Sequence, residues 1–391
     1  MIQKEKEIYL DHIAAGPVLP EAIEAMKPLL MSGFGNPQSV HTRGQRAAEV
    51  LLAARAKAAG LVGADPDGVI FTATGSEANN LALLGISRAR KKTSNRIIVS
   101  AIEHHSVLEP AKALAREGFE LVILPVDGEG FVSRDSLAAE LEKGAAMVSV
   151  IYASTEIGTI EPVDELAALC REHKIPFHTD AWGAAGQIPV DMPGSGISAL
   201  TLAGQNFGGP PGVAALVIEK SIRPKPIILG GVQERGIRAG QENIPAIAGF
   251  GKAAEIAAER MNERVGMLEP IRDALISRLP AEIEDVIPTG HPAKRLPGHA
   301  SFCVEYIEGE GLLLFLDQMG VMAASGSACT SKSLKGSHVL EAIGLDAATA
   351  QGSIVMTLGL DNSIKDVDRI IEAMKPVISR LREMSPLYKR K

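Results

Sequence analysis

Four short stretches of the sequence place reactive or polar side chains where a ligand could reach them. They are TATGSEANN (72–80), IEHHSV (102–107), FHTDAWG (177–183) and AASGSACTSKSLKGS (323–337). The first three stand at the ends of apolar runs of strand length. Because ligands of parallel α/β sheets bind beyond the carboxyl ends of the strands, we treat these stretches as candidate site residues.

The first stretch has the pattern of an anion site. Thr74-Gly75-Ser76 ends a strand and begins a helix, where free backbone N–H groups and the positive end of the helix dipole suit a phosphate. The simpler interpretation is that Ser76 only caps its helix, with Glu77 favourable in the first turn.

The second and third stretches offer an imidazole and a carboxylate. His104 could stack on a flat ligand or transfer a proton, although a histidine at such a position also serves as a plain polar cap. Asp180 closes an apolar strand, so its carboxylate is expected to be partly desolvated. Such a group needs a hydrogen-bonding or cationic partner, and none is adjacent in sequence.

The fourth stretch presents a cysteine among small residues. Lys332 and Lys335 favour the thiolate form of Cys329. A buried structural cysteine is the alternative, but a loop rich in Gly and Ser favours a reactive thiol. Cys170 and Cys303, on a predicted helix and a predicted strand, are expected to be buried and inert.

A fifth stretch has the pattern of an active-site corner without reactive groups. Residues 201–216 read TLAGQNFGGPPGVAAL, a Gly/Pro-rich turn between two apolar runs. No side chain in it ionises, and Gln205 and Asn206 stand at its apex.

Composition limits the classes of protein. A chain of 391 residues exceeds the size of a single core, so we expect two domains. The net charge of -7, without a long basic stripe, argues against a nucleic-acid partner. A charged N-terminus and the lack of a long apolar run predict a soluble, cytoplasmic protein that binds no membrane. Three scattered cysteines predict reduced thiols.

The elements that position these residues alternate between strand and helix. Seven apolar runs of strand length lie between residues 69 and 219, and helical patterns of period 3.6 separate most of them. This alternation predicts an α/β fold with a mostly parallel sheet covered on both faces. From about residue 260 the pattern predicts a smaller α+β unit closed by a terminal helix.

The order and spacing of the motifs resemble the NifS/IscS-type cysteine desulfurases along essentially the whole chain. The matching segments are LDH…GPV (10–18), FGNPQSVH (34–41), FTATGSEANNLAL (71–83), EHHSVLE (103–109), STEIGTI (154–160), FHTDAWGAAGQIPVD (177–191), the corner at 201–216, RAGQENIPAIAGFGKA (238–253), SGSACTSKSLKGSHVL (325–340) and MSPLY (384–388).

This resemblance implies a fold-type-I architecture built for pyridoxal phosphate (PLP), in a homodimer. It implies a large PLP-transferase-like domain over residues 14–258 and a small domain formed by 1–13 and 259–391 with a mobile Cys329 loop. In working members a lysine holds PLP as a Schiff base, and the loop cysteine takes sulfur from the substrate for an iron–sulfur scaffold or another acceptor.

Several residues depart from the family pattern in one pocket. The Schiff-base lysine corresponds to Asn206, and an amide can neither form an imine nor move the α-proton. Three phosphate ligands correspond to Ala203, Gln205 and Gln241. Further departures affect the ring contacts and the substrate arginine, which fall on Thr155, Gly183 and Val355.

Other positions of the same pocket keep the residues of the family pattern. His104 matches the ring-stacking histidine, Asp180 the carboxylate that pairs with the pyridine nitrogen, and Ser76 keeps a hydroxyl in the phosphate turn. We therefore interpret the chain as non-enzymatic: it docks an IscU-type scaffold and offers Cys329 as a cluster ligand or sulfur-accepting thiolate, so that an iron–sulfur cluster is shared between them.

Two alternatives stay open from the sequence. In one, PLP binds non-covalently over Asp180 beneath His104 and supports slow lyase or desulfurase activity. In the other, the emptied pocket is a metal site formed from His104, His105, His178, Asp180 and Cys329. Packing or hydrogen bonding is the simpler role for His105 and His178, and Trp182 either fills the space of the pyridine ring or packs in the core.

Overall fold

The computed structural model describes residues 7–326 and 336–388. The strands in these ranges are β1 (Ile8–Tyr9), β2 (Val69–Thr72), β3 (Arg96–Ser100), β4 (Glu120–Leu124), β5 (Met147–Ser149), β6 (Phe177–Asp180), β7 (Ala199–Ala203), β8 (Ala214–Ile218), β9 (Val286–Pro288), β10 (His299–Val304), β11 (Val321–Met322) and β12 (Ser353–Thr357).

The α-helices in the same ranges alternate with these strands over the first half of the chain. They are α1 (Pro20–Met31), α2 (Thr42–Gly60), α3 (Gly75–Asn80), α4 (Ser87–Arg90), α5 (His105–Arg116), α6 (Arg134–Leu141), α7 (Val163–Glu172), α8 (Met192–Ser195), α9 (Ile244–Glu259), α10 (Met261–Glu282), α11 (Gly309–Gln318), α12 (His338–Ala342), α13 (Ala347–Gln351) and α14 (Ile364–Met384). A π-helical segment, Leu81–Ile86, joins α3 to α4.

Seven strands form one large sheet in the order β2-β8-β7-β6-β5-β3-β4. Strand β8 runs antiparallel to both of its neighbours, and the remaining pairs in the sheet are parallel. Each of these strands lies within one of the seven apolar runs, so the predicted α/β fold with a mostly parallel sheet is confirmed.

Apolar side chains cover both faces of the large sheet. One hydrophobic cluster joins strand residues such as Phe71 and Val148 to helices α2 and α9, and another joins Ile97 and Val99 to α5. Because helices bury both faces, the inner strands lack the alternation of polar and apolar residues that a half-exposed strand shows. The edge strand β4 is the partly exposed one.

The last third of the chain forms a smaller sheet in the order β12-β10-β9, all antiparallel. Its buried face packs on α10 and α14 through residues such as Phe302, Leu275 and Ile370. Strand β1 pairs in parallel with β11, so Ile8 and Leu10 near the start of the chain join this second core. The division at residues 14–258 and 259–391 stays a prediction.

Within residues 7–326 and 336–388, every helix falls short of the length and apolar character that a bilayer crossing requires.

Candidate functional site

Three of the predicted site residues lie together at the carboxyl edge of the large sheet. Asp180 ends β6, His104 follows β3, and Ser76 lies in the first turn of α3, the helix that follows β2. They line one cavity of about 180 Å³, which we call the main recess; Gln205 and Trp182 line it as well. The sheet topology therefore produces the site, although the roles of these residues toward a cofactor stay predictions.

Asp180 has the hydrogen-bonding partners that the sequence could not identify. Its Oδ2 accepts from Asn79 Nδ2 at 2.7 Å, and its Oδ1 accepts from the backbone N–H of Trp182 at 3.0 Å. Burial raises the pKa of Asp180, while the Asn79 and Trp182 donors and nearby His104 act in the opposite direction. The carboxyl group is thus buried and fixed in orientation.

The same amide connects Asp180 to His104. Asn79 Nδ2 also donates to Ser106 Oγ at 2.8 Å, and Ser106 Oγ lies 2.7 Å from His104 Nδ1. His104 Nδ1 accepts from the backbone N–H of Ser106 at 3.1 Å, which caps helix α5 and leaves the proton on Nε2. Burial lowers the pKa of His104, so a neutral ring is favoured.

The N-cap of helix α3, which follows β2, is a different residue from the one that the simpler interpretation of the sequence expected. Thr74, not Ser76, is the N-cap of α3: its Oγ1 accepts from the backbone N–H of Glu77 at 3.1 Å. The expectation that Ser76 caps the helix is wrong, because the helix begins at Gly75, two residues before the start that a cap at Ser76 would give. The exposed Ser76 therefore keeps its hydroxyl free of capping and lines the main recess.

The apex of the corner at 201–216 is a turn of 3-10 helix, Gly204–Phe207. Asn206 is 4% exposed, and its side-chain N–H donates to the backbone oxygen of Trp182. Gln187 Nε2 donates to the backbone oxygen of Asn206 at 2.8 Å. Gln205 Oε1 is buried without a hydrogen-bond partner in the described part of the chain.

A second recess of about 130 Å³ adjoins the main one and shares His104, Thr155 and Trp182 with it. Val355 of β12 is 5% exposed and lines this second recess. Its backbone N–H donates to the oxygen of Ala324 at 2.8 Å, so the strand is fixed while the side chain offers no charge.

Glu156, which sequence analysis did not single out, also lines the second recess. Ser337 donates its hydroxyl to the carboxylate of Glu156, and burial raises the pKa of Glu156 to about 7. The His105 and His338 rings lie 4.9 Å apart between centroids at the same wall. No Lys or Arg of residues 7–326 and 336–388 lines either recess.

The two cysteines in the described ranges are structural. Cys170 on α7 and Cys303 on β10 are both buried, and burial raises the pKa of each thiol to about 12. Their predicted burial is confirmed. Cys329, with Lys332 and Lys335, lies outside the described residues.

The predicted metal ligands do not converge within the described ranges. Those ranges contain no group of three or more His, Cys, Asp and Glu side chains placed to hold a metal ion. His178 is fully buried, with Nδ1 2.8 Å from Ser149 Oγ and Nε2 3.1 Å from Thr201 Oγ1. Burial lowers its pKa to about 3, so hydrogen bonding inside the sheet is the role of His178.

The fold and the position of the pocket define an aminotransferase class-V protein, and the model of that family matches residues 8–370. A cysteine desulfurase IscS 1 of Archaeoglobus fulgidus is 44% identical over 98% of this chain and 100% of that protein. A cysteine desulfurase IscS of Methanosarcina thermophila is 42% identical over 98% of this chain and 95% of that protein.

Solved structures agree with the sequence relatives. A NifS-like protein superposes with a TM-score of 0.89 at 30% identity, covering 96% of this chain and all of the other. A NifS-like protein of Rickettsia africae superposes with a TM-score of 0.87 at 27% identity, over 95% of this chain and 99% of the other. The chain belongs to the NifS/IscS family of cysteine desulfurases, whose cofactor is PLP.

Proposed function

We propose that this chain is a cysteine-desulfurase-family protein that does not carry out the family's PLP-dependent desulfurisation and instead serves a partner with its Cys329 thiol. The observation that carries the proposal is Asn206: a carboxamide, already hydrogen-bonded to the backbone of Trp182, stands at the corner where the family resemblance expects the lysine. Carboxamide nitrogen is not nucleophilic, so it cannot bind the aldehyde of PLP covalently.

The remaining departures support the same conclusion. Ala203 and Gln205 line the main recess at positions where the resemblance expects phosphate ligands, and neither supplies a charge. Gln241 stands where the partner subunit's hydroxyl residue is expected. Val355 removes the guanidinium expected to bind the carboxylate of an amino-acid substrate, a pair of charged hydrogen bonds contributing on the order of 1.5 to 3 kcal/mol. Covalent PLP does not fit this set of residues.

The retained features indicate what the protein is for. As the resemblance implies, we propose a homodimer that docks an IscU-type scaffold, near the terminal segment Met384–Tyr388. Cys329 then supplies a thiolate, either as a ligand of an iron–sulfur cluster shared with the scaffold or as an acceptor of sulfur. Thiolate is the ligand that such clusters use most, so a scaffold with an incomplete ligand set gains from one more.

The test is the lifetime of a cluster assembled on the scaffold in the complex, followed anaerobically by its visible absorbance. Cys329→Ser should abolish the stabilisation of the cluster while scaffold binding, measured by calorimetry, is unchanged. Cys170→Ala is the matched control, because its thiol is buried away from the surface and should leave the lifetime unaltered. An unchanged cluster lifetime in Cys329→Ser would refute the role of this thiol.

Non-covalent PLP is the second candidate, and the persistence of the main recess favours it. Asp180 would face the pyridine nitrogen and His104 the ring, and PLP would supply an electron sink for a slow lyase or desulfurase reaction. A protein of this kind is yellow, loses its colour on dialysis and is not trapped by borohydride. A colourless preparation that releases no sulfide from cysteine excludes it.

A further inference from the structure

An apolar groove of about 620 Å³ lies where the end of α14 meets the segment after β10 and the start of α13. We call it the α14 groove. Leu381 and the rim residues Tyr306, Met384 and Leu387 are among its lining residues, and the three on the rim are 38%, 70% and 63% exposed. The described part of the chain therefore leaves large apolar side chains uncovered at this groove.

Charge in the lining of the α14 groove is of one sign. The carboxyl groups of Glu305, Glu308 and Asp346 line it, and no Lys or Arg of residues 7–326 and 336–388 does. Asp346 accepts from the backbone N–H of Thr349 at 2.9 Å, and this bond holds the pKa of Asp346 below its usual value. Because interfaces pair opposite potentials, a positively charged segment with apolar stems complements the groove.

The sequence supplies such a segment at the rim of the groove. The structure describes the chain as far as Tyr388, and residues 389–391, which follow it, read KRK. The Tyr388 ring lies 5.7 Å from that of Tyr306 between centroids, and Arg382 Cζ lies 5.5 Å from the Tyr388 ring centroid. Tyr388 is thus packed beside the groove. Three extended residues reach at most about 11 Å beyond it, so the three cations stay near the carboxylates.

We propose that the basic segment 389–391 binds back into the α14 groove of its own chain. Its charged groups pair with the groove carboxylates, and its aliphatic stems cover the exposed apolar rim. Each exposed ion pair is weak alone, but the tethered segment acts at an effective concentration in the millimolar range. Any partner of the groove must first displace the segment, which makes it an autoinhibitory contact. The inference does not depend on the role proposed for Cys329.

Carbodiimide cross-linking of the wild-type chain tests the contact, because the reagent joins an amine to a carboxyl group without a spacer. The expected product is an amide between Lys389 or Lys391 and a groove carboxylate, found by mass spectrometry in the monomer band of a denaturing gel. Its yield should fall in about 1 M salt, where the Debye length is about 3 Å. Glu383, which is exposed but does not line the groove, is the internal control. Equal cross-linking to Glu383, or amides only between two chains, would overturn the proposal.

A competition experiment measures the occupancy of the groove. A fluorescent peptide of sequence YKRK is titrated with the wild-type chain and with a chain truncated after Tyr388, and binding is followed by anisotropy. The truncated chain should bind the peptide at least about fivefold more tightly, because its groove lacks the tethered competitor. Glu308→Gln in the truncated chain should weaken binding by about two- to fivefold, whereas Glu310→Gln, at an exposed position outside the groove lining, should not. Equal affinities of the wild-type and truncated chains, or no binding to either, would contradict the proposal.

Discussion

The side-chain N–H of Asn206 donates a hydrogen bond to the backbone oxygen of Trp182, two residues beyond the aspartate that ends β6. The residue at the apex of the corner therefore ties two strand ends together. Asn206 is buried, and its backbone oxygen accepts a hydrogen bond from the Gln187 side chain. The carboxamide is therefore part of the framework of the pocket and is not available for chemistry.

Restoring an amine at the corner should restore covalent attachment of PLP. Asn206→Lys, incubated with PLP and reduced with borohydride, should gain the mass of reduced PLP on the peptide that contains residue 206. Binding should stay weak because Ala203 and Gln205 still face the phosphate region. Asn206→Gln is the control, and modification of the two variants to the same extent would contradict this account.

Removing the amide that links Asp180 to Ser106 should destabilise the protein. Asn79 is 1% exposed and donates to both residues, so Asn79→Ala leaves a buried carboxyl group short of one donor. We expect a loss of about 1–3 kcal/mol in the free energy of unfolding, measured by urea denaturation. Asn80→Ala, which removes only a bond to the backbone of Ser76, should cost less than about 1 kcal/mol. Equal losses in the free energy of unfolding for Asn79→Ala and Asn80→Ala would argue against a stabilising role for the hydrogen bonds of Asn79.

Substitution within the buried ion pair Arg55–Glu234 should cause one of the largest losses in the free energy of unfolding. Its side chains are 7% and 1% exposed, with Arg55 Nη2 2.7 Å from Glu234 Oε1, and Glu234 Oε2 also accepts from the backbone N–H of Phe71. Glu234→Gln leaves a buried guanidinium without its counter-charge and should cost about 3–5 kcal/mol in unfolding free energy.

The control for that pair is an exposed one. Arg260 and Glu21 are 3.6 Å apart with side chains 60% and 41% exposed, so Glu21→Gln should change the free energy of unfolding by less than about 1 kcal/mol. Similar losses of unfolding free energy in Glu21→Gln and Glu234→Gln would mean that burial does not determine how much an ion pair contributes to stability.

Glu161 should make stability depend on pH. Burial raises its pKa from 4.5 to about 8, while its Oε2 accepts from the backbone N–H of Val132. Between about pH 5 and pH 8 the folded state therefore holds a proton that the unfolded state has released, so the contribution of Glu161 to stability falls as the pH rises through this window.

Glu161→Gln, which is neutral at every pH, should flatten the dependence of unfolding free energy on pH in that window and stabilise the protein at pH 8 relative to wild type. Glu165→Gln, at an exposed position in the first turn of the following helix α7, should leave the profile unchanged. A wild-type profile that stays parallel to that of Glu161→Gln from pH 5 to pH 8 would contradict the assignment.

The strands could be predicted from the sequence because a buried strand of a parallel sheet is a short apolar run, as in Val69–Thr72 and Ala199–Ala203. The shared position of Ser76, His104 and Asp180 could be expected from the sequence, since all three follow the carboxyl ends of strands in a mostly parallel sheet. The π-helical segment Leu81–Ile86 could not be predicted, because its apolar pattern is also that of an ordinary buried helix.

The hydrogen-bond partners of the site residues could not be predicted from the sequence, for a physical reason. The hydrogen bond from Asn79 to Asp180 joins residues 101 positions apart, and nothing in EANN distinguishes Asn79 from a residue on the polar face of a helix.

The most direct test of the central claim uses the wild-type protein alone. It is incubated with PLP and cysteine, reduced with borohydride, digested and analysed by mass spectrometry, while alanine and sulfide are measured in the supernatant. We predict that no lysine of the chain carries reduced PLP stoichiometrically and that no alanine or sulfide is released above a protein-free control. A single lysine carrying reduced PLP stoichiometrically, together with catalytic production of alanine, would contradict the account.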